Sequence, residues 1–310
     1  MLRRNVLIFH SGGLGDFVLT WPLAAALGRL HPQSRIIYVT DSSKGELVAK
    51  VLRLDALDAE TGWPALYSDP TKLPEQFGKV LIHCHSIYSF TSSAGDAWEK
   101  NVGAIVPEAA IYSLRVKPPD NYGRHASEHL LEQLAPLPAV RSAVEQILAS
   151  IQAKGLGTLR PADTHLGPII LHPGSGAREK CWPVAGFAEL ARSLADLNVT
   201  VKIMLGEVER ERFSKADINT LESASPKVSL VNPARYADLL TELAGARAFV
   251  GNDSGPAHLA AAIGVPTVCI FGPTDPNVWR PIGPVVRVIR RPKLPELTAE
   301  QVIQSLDGIG

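Results

Sequence analysis

Cysteine, aromatic side chains and excess charge of either sign are all scarce in this sequence of 310 residues. The three cysteines, Cys84, Cys181 and Cys269, are widely spaced and odd in number, which excludes a disulfide framework and a C-x-x-C metal motif. Lysine and arginine total 31, as do aspartate and glutamate, so the chain lacks the basic excess of a general nucleic-acid binder. We therefore expect buried free thiols and no nucleic-acid partner.

The sequence also lacks an apolar segment long enough to span a bilayer, and its first residues lack the cleavage site of a signal peptide. The short apolar run Val6–Phe9 is better explained as a buried first strand. Hydrophobic residues make up 45% of the chain, which is enough for large cores, and the length suits two domains of ordinary size. These features predict a cytoplasmic protein.

Apolar runs of strand length alternate with helical patterns along the whole chain. Val6–Phe9 and Arg35–Thr40 are predicted strands on either side of a helix from Asp16 to Leu30, and such a βαβ unit implies a parallel sheet. The other predicted strands are Lys79–His83, Pro168–His172, Val199–Leu205, Val228–Val231, Ala248–Gly251 and Pro266–Phe271. The other predicted helices are Leu47–Leu57, His125–Ser150 with a break near its prolines, Val184–Leu197, Tyr236–Ala244, Pro256–Ile263 and Thr298–Leu306.

This alternation in both halves predicts an α/β fold of two doubly wound domains that face each other across a cleft. Gln152–Gly167 contains glycines and a proline among polar residues, and it is predicted to connect the two domains. The predicted N-terminal domain spans residues 1–158, and the predicted C-terminal domain spans residues 159–310.

A glycine-rich turn, Ser11–Gly15, lies between the first predicted strand and its helix. It has neither the G-x-G-x-x-G pattern of dinucleotide-binding folds nor the lysine of a P-loop. Asp16, which follows it, has two interpretations. It can be an N-cap whose carboxylate accepts from backbone N–H groups, or a general base that takes a proton from an attacking hydroxyl. Spacing does not decide between them.

The loop after the predicted strand Pro168–His172 contains Gly174, Ser175 and Gly176, followed by Lys180. The glycines permit a tight backbone, the serine can donate a hydrogen bond, and the lysine charge suits phosphate oxygens. A solvated surface lysine is the alternative.

The segment Gly251–Pro266 is the most informative in the chain. Asp253 or Ser254 can cap the helix that follows, and Gly255 adds an N–H group near its start. Such a helix start is a ready site for a diphosphate. His258, one turn into the helix, is either structural or able to hydrogen-bond the phosphate.

Gly206 and Glu207 directly follow the predicted strand Val199–Leu205. A carboxylate there suits ribose hydroxyls, as in dinucleotide-binding folds, or is simply an exposed residue at a helix start.

Taken together, these segments resemble glycosyltransferase family 9, the ADP-heptose:lipopolysaccharide heptosyltransferases. They occur in the order of the family and extend over nearly the whole chain. The matching segments are Gly13–Pro22, Leu171–Ser175, Lys180–Pro183, Leu205–Glu207, Asn252–His258, Gly264–Pro266 and Phe271–Pro276.

The resemblance implies a GT-B fold with an acceptor-binding N-terminal domain and a nucleotide-sugar-binding C-terminal domain. It implies inverting transfer of heptose, with ADP-heptose as the donor and without a metal ion or other cofactor. Asp16 matches the catalytic carboxylate of the family, and Gly13, Gly15 and His10 lie on the acceptor side. The residues that match the donor site are Ser175, Lys180, Glu207, Asp253, Ser254, Gly255 and His258.

The implied partners are the nucleotide-sugar donor and a lipopolysaccharide core or related glycan or glycolipid acceptor, with peripheral contact at the cytoplasmic face of the inner membrane. Two features depart from the family. His10 stands where relatives with acidic acceptors often carry a basic residue, and the first 150 residues hold roughly as many acidic as basic side chains. An outer-core acceptor, or transfer of another sugar, therefore stays open.

Three alternatives remain. The first is a GT-B transferase that uses a UDP- or GDP-sugar, and the second is a catalytically silent nucleotide-sugar-binding protein. A Rossmann-type oxidoreductase is the third, and it is disfavoured because neither glycine turn has the dinucleotide fingerprint.

Overall fold

The computed structural model describes residues 4–156, 160, 164 and 166–308. The chain divides into two compact units, Met1–Leu148 and Ala149–Gly310. Each is an α/β unit with a parallel sheet of its own. The boundary predicted between residues 158 and 159 lies outside the described residues.

The predicted connection Gln152–Gly167 begins too early, because its first three residues belong to a helix that ends at Lys154. Val144, Ile147, Leu148 and Ile151 are buried along one side of this helix. Their helical spacing continues past Ser150, and Gly155, at a φ of 67°, is the first residue whose backbone conformation ends it.

The sheet of the first unit has the order β3-β2-β1-β4-β5 among the described residues, and its strands are parallel. The strands are β1 (Asn5–Phe9), β2 (Arg35–Thr40), β3 (Asp55–Asp58), β4 (Cys84–Ser89) and β5 (Ala110–Ser113). The helices are α1 (Leu14–Leu30), α2 (Ser42–Leu47), α3 (Glu75–Ile82), α4 (Ala97–Ile105), α5 (Ala126–Gln133) and α6 (Pro138–Lys154), whose last six residues belong to the second unit. Short π- and 3₁₀-helical turns are Val48–Leu52, Trp63–Tyr67 and Pro70–Lys72.

β1 is the central strand of this sheet, and all five of its residues are buried. Its last four residues, Val6–Phe9, form a continuous apolar run, which is what a parallel sheet covered on both faces requires. The ring of Phe9 packs edge-on against Trp63 at 5.2 Å and Trp98 at 4.9 Å between centroids. The end of β1, from which the glycine turn departs, is therefore firmly held.

Two predictions in this unit are wrong. Lys79–His83 is not a strand, because Phe77 and Leu81, four residues apart, bury one face of helix α3, while Ile82 is 59% exposed. The predicted helix Leu47–Leu57 is wrong beyond Leu52, since only its first six residues are helical. The helical backbone ends at Arg53, which has a φ of 56°, and Asp55–Asp58 then pairs with β2 as strand β3.

The sheet of the second unit has the order β11-β10-β9-β6-β7-β8 among the described residues, and it too is parallel. Its strands are β6 (Ile169–His172), β7 (Val201–Met204), β8 (Val228–Val231), β9 (Ala248–Asn252), β10 (Thr267–Phe271) and β11 (Val286–Arg290). Its helices are α7 (Val184–Asp196), α8 (Glu207–Arg212), α9 (Lys215–Glu222), α10 (Tyr236–Ala244), α11 (Gly255–Ala262), α12 (Pro276–Trp279) and α13 (Ala299–Gln304). Arg178–Lys180 and Leu294–Glu296 are 3₁₀-helical turns.

The strands and helices predicted for this half are present, and their ends lie within two residues of the predicted positions. The sequence patterns missed the short elements α8, α9, α12 and β11. The three cysteines are free as predicted, although only Cys269 is fully buried and Cys84 and Cys181 are half-buried. Within the described part of the chain, no helix is both long and apolar enough to cross a membrane.

The direction of winding reverses once in each sheet, between β1 and β4 in the first unit and between β6 and β9 in the second. In open parallel sheets, ligands bind beside the carboxyl ends of the two strands that flank such a reversal. The loops that follow β1, β4, β6 and β9 are therefore where ligand-binding residues are expected.

Candidate active site

The glycine turn after β1 leads directly into helix α1. Gly13 is the N-cap of this helix, so Asp16 lies near the N-cap but not at it: the helix starts two residues earlier than predicted, at Leu14. Asp16 is the third helical residue and is half-buried, and Gly15 lies beside it in the first turn. A carboxylate at this position is stabilised by the positive end of the helix.

His10 closes the other side of the turn and is only 2% exposed. A Cβ at Gly12 would lie 3.1 Å from the His10 ring and 3.4 Å from the Cβ of Asp16, so both side chains border this glycine. Burial, reinforced by the charge of Lys44 and opposed by Asp41, lowers the pKa of His10 to about 3. The ring is therefore neutral at pH 7 and adds no positive charge beside the glycine turn.

A cavity of about 650 Å³ lies in the first unit, where the chain leaves β4 and β5. The polar residues that line it include Ser93, Ser113, Arg115, Lys117, Asp120 and His129. The Nη2 atom of Arg115 donates to the Oγ of Ser93 at 2.7 Å. Gln133 accepts from the backbone N–H of Arg115 and donates to its carbonyl oxygen, each at 2.8 Å, which fixes the position of the arginine.

Acidic and basic residues are about equal in number in the first 150 residues, but folding brings Arg115 and Lys117 together at one cavity. The signal that sequence analysis missed is their position directly after strand β5, whose carboxyl end lies at the ligand-binding edge of the sheet.

In the second unit, Asn252 at the end of β9 holds the glycine loop that follows β6. The side chain is fully buried. Its Nδ2 atom donates to the carbonyl oxygen of Pro173 at 2.8 Å, and its Oδ1 atom accepts from the backbone N–H of Trp182 at 2.9 Å. The Trp182 ring packs in the core and donates to the carbonyl oxygen of Leu297. Both ends of the loop are thus anchored.

Asp253 is the centre of a polar cluster that joins the loops after β6, β9 and β10. Its Oδ2 atom accepts from the Nζ of Lys180 at 2.9 Å and from the hydroxyl of Thr274 at 2.7 Å. The hydroxyl of Ser175 donates to the Asp253 carbonyl oxygen at 2.6 Å. The Asp253 side chain is 7% exposed and that of Lys180 30%, so the ammonium group keeps access to solvent.

Helix α11 begins beside this cluster. Ser254 is its N-cap, Gly255 is its first residue, and the Oγ of Ser254 lies 3.4 Å from the Nδ1 of His172. His258 is buried at the fourth helical position. The structure therefore brings Ser175, Lys180, Asp253 and the start of this helix to the winding reversal of the sheet, where the positive helix end suits an anion.

Glu207 lies at the exposed first position of α8, and its role toward a ribose stays a prediction. Sequence analysis missed Glu209, which is 6% exposed. This carboxylate accepts from the backbone N–H of Gly206 at 2.8 Å and lies 3.7 Å from the Nε2 of His172. Burial alone raises the pKa of Glu209, but the interaction with His172 and the backbone N–H groups outweigh it and hold that pKa below its usual value. The missed signal is a glutamate at the third position of a helix, where it can bond to the N-cap N–H.

Among residues 4–156, 160, 164 and 166–308, the structure contains no group of three or more histidine, cysteine or acidic side chains arranged to hold a metal ion.

Two parallel α/β units, each with polar loops at the winding reversal of its sheet, define a two-domain Rossmann-like protein of the GT-B class. The sequence profile of glycosyltransferase family 9 (heptosyltransferase) matches residues 130–306, and the chain belongs to this family. The protein is therefore a glycosyltransferase.

Individual relatives agree with this assignment. The chain is 24% identical to lipopolysaccharide heptosyltransferase 3 of Escherichia coli over 86% of its own length and 83% of the relative. It is 36% identical to lipopolysaccharide heptosyltransferase 1 of Pseudomonas aeruginosa, over 51% of its length and 43% of the relative.

Solved structures with the same fold include E. coli ADP-heptose lps heptosyltransferase II, with a TM-score of 0.73, 20% identity and 98% of each chain covered. E. coli heptosyltransferase WaaC with ADP has a TM-score of 0.67 and 18% identity, and the match covers 99% of this chain and 100% of that one.

Proposed function

We propose that the protein transfers heptose from ADP-heptose to a hydroxyl of a lipopolysaccharide core or related glycan, with inversion at the anomeric carbon and without a metal ion. The observation that carries this proposal is the cluster of Lys180, Asp253 and the start of α11 at the winding reversal of the second sheet. Family relatives that are lipopolysaccharide heptosyltransferases, one of them solved with ADP, support the choice of donor.

On the donor side, the diphosphate binds at the start of α11 and beside Lys180. As the bond to the sugar breaks, negative charge grows on the departing diphosphate. The Lys180 ammonium and the Gly255 end of the helix are already in place to stabilise that charge. Asp253, which itself accepts from Thr274, holds the lysine, so little reorganisation is needed during the reaction.

On the acceptor side, Asp16 is the general base. Its carboxylate takes the proton of the attacking hydroxyl, and the hydroxyl oxygen forms a bond to the anomeric carbon from the face opposite the diphosphate. The bond between that carbon and the diphosphate oxygen breaks, and ADP leaves with the electron pair. Attack from the opposite face inverts the anomeric configuration.

Titration of the protein with ADP, UDP and GDP by isothermal calorimetry tests the donor assignment. We expect ADP to bind most tightly, and ADP-heptose to release ADP only when a lipopolysaccharide core acceptor is present. Tighter binding of UDP or GDP would show that the donor is a UDP- or GDP-sugar and not ADP-heptose. Binding of ADP without any turnover would indicate a silent binding protein.

We further propose that the cavity at Arg115 and Lys117 holds an acidic group of the acceptor. Replacing Arg115 with alanine should raise the KM for an acidic core acceptor by about tenfold, because a charge-assisted hydrogen bond is lost, and should leave the Kd for ADP unchanged. Arg141→Ala is the matched control, since Arg141 is an exposed arginine of the same unit paired with Glu145. An unchanged acceptor KM in the Arg115 variant would contradict the proposed site.

A further inference from the structure

Two side chains of the short helix α8 contact the glycine loop that follows β6. Glu209 and Arg212 are three residues apart, which places them on the same face of the helix. Both contact this loop or its immediate neighbours, one from the buried side and one from the exposed side. Arg212 bonds to the backbone of Ser175, whose hydroxyl donates to Asp253, so an effect of Arg212 on the Lys180–Asp253 pair passes through the loop.

Arg212 controls the orientation of two consecutive peptide groups. Its Nη1 atom donates to the carbonyl oxygen of Ser175 at 3.2 Å and to that of Gly176 at 3.1 Å. In a trans peptide the N–H points opposite to the C=O. With both carbonyl groups turned toward the guanidinium, the N–H groups of Gly176 and Ala177 point away from it, and a series of such N–H groups is suited to an anion.

Glu209 contacts the same loop from its buried side and sets its position. Its carboxylate lies so close to Gly174 that a Cβ at this glycine would be 1.8 Å from Oε1. The same carboxylate accepts from the backbone N–H of Gly206 and approaches His172, which in turn reaches Ser254. One buried charge therefore connects the loops that follow β6 and β7, and through His172 the start of α11.

We propose that Arg212 and Glu209 are positioning residues for the donor diphosphate, which hold the loop of residues 174–177 in the conformation that presents its N–H groups to the phosphates. The inference rests on the proposed function, because it assumes that a nucleotide diphosphate binds at this loop. It predicts that loss of either side chain weakens the binding of a nucleoside diphosphate and leaves the binding of the nucleoside unchanged.

The test compares Arg212→Ala, Arg212→Lys and the control Arg210→Ala, which removes an exposed arginine of the same helix. Calorimetry with ADP and with adenosine gives the readout, and thermal unfolding reports on stability. We expect Arg212→Ala to weaken ADP binding about tenfold, which corresponds to about 1.4 kcal/mol, and to leave adenosine binding unchanged. Lysine should not restore ADP affinity, because its strongly hydrated ammonium on a flexible stem cannot fix the two carbonyl groups as the rigid, planar guanidinium does through Nη1.

Each other outcome overturns the inference in a recognisable way. Restoration by lysine would show that Arg212 acts as a simple charge, and equal loss of ADP and adenosine binding would show a general structural role. Unchanged ADP affinity in the Arg212→Ala variant would show that Arg212 has no role in donor binding. If the unmodified protein bound none of ADP, UDP and GDP, the proposed function itself would fail first.

Glu209→Gln, measured in the same way, should weaken ADP binding more than adenosine binding, and the reverse would exclude its positioning role.

Discussion

Replacing Asp16 with asparagine should lower kcat by about a hundredfold to ten-thousandfold, the range that a general base supplies, and leave the Kd for ADP unchanged. The amide has the same shape as the carboxylate but cannot accept the proton of the attacking hydroxyl. The proposed ADP site lies in the second unit, whereas Asp16 lies in the first turn of α1 in the first unit, so we expect nucleotide affinity not to depend on Asp16. Initial rates with saturating ADP-heptose and acceptor, together with calorimetry, measure both quantities.

Asp55→Asn is the control for this variant, because Asp55 is an aspartate of the same unit that pairs at the surface with Arg35. It should keep full activity. The Asp16 variant should also lose about 0.3–1 kcal/mol of stability, since a negative charge near a helix start is favourable. A parallel loss of activity and ADP affinity in the Asp16 variant would contradict the assignment of the base.

Replacing Lys180 with methionine should weaken ADP binding about tenfold to a hundredfold, as expected when charge-assisted hydrogen bonds of about 1.5–3 kcal/mol are lost. The substitution also leaves the largely buried carboxylate of Asp253 with Thr274 as its described side-chain partner, so the free energy of unfolding should fall as well. The double variant Lys180→Met, Asp253→Asn removes the unpaired charge. It should recover stability and still bind ADP weakly.

Lys202→Met provides a closely matched control. Lys202 lies in the same unit, its side chain is 32% exposed, and its Nζ is 2.7 Å from Glu242, much as Lys180 is paired with Asp253. This variant should lose stability and keep the ADP affinity of the unmodified protein. If both lysine variants bound ADP equally well, Lys180 would be a structural residue and the donor site would lie elsewhere.

The second unit was largely predictable from its sequence. Its strands are short, continuous apolar runs such as Ile169–His172 and Thr267–Phe271, and its helices are bounded by prolines, glycines and polar residues. In the first unit the same rules failed at Lys79–His83. A short apolar run is too short to show either the helical or the strand periodicity of hydrophobic residues. Whether it forms a strand or a helix therefore depends on which of its side chains become buried. Only the contacts of Phe77 and Leu81 in the folded unit decided that.

The sequence by itself determined the α/β class, the family, and the glycine turns and polar residues that mark the candidate site, because these depend on local pattern and residue type. Only the tertiary structure decided that Gly13 rather than Asp16 caps α1, that Lys180 pairs with Asp253, and that Arg115 and Lys117 share a cavity. Only the tertiary structure shows that Glu209 and Arg212 contact the glycine loop after β6. Such contacts join residues that are far apart in the chain, and their geometry is set by the packing of whole strands and helices, which no local pattern records.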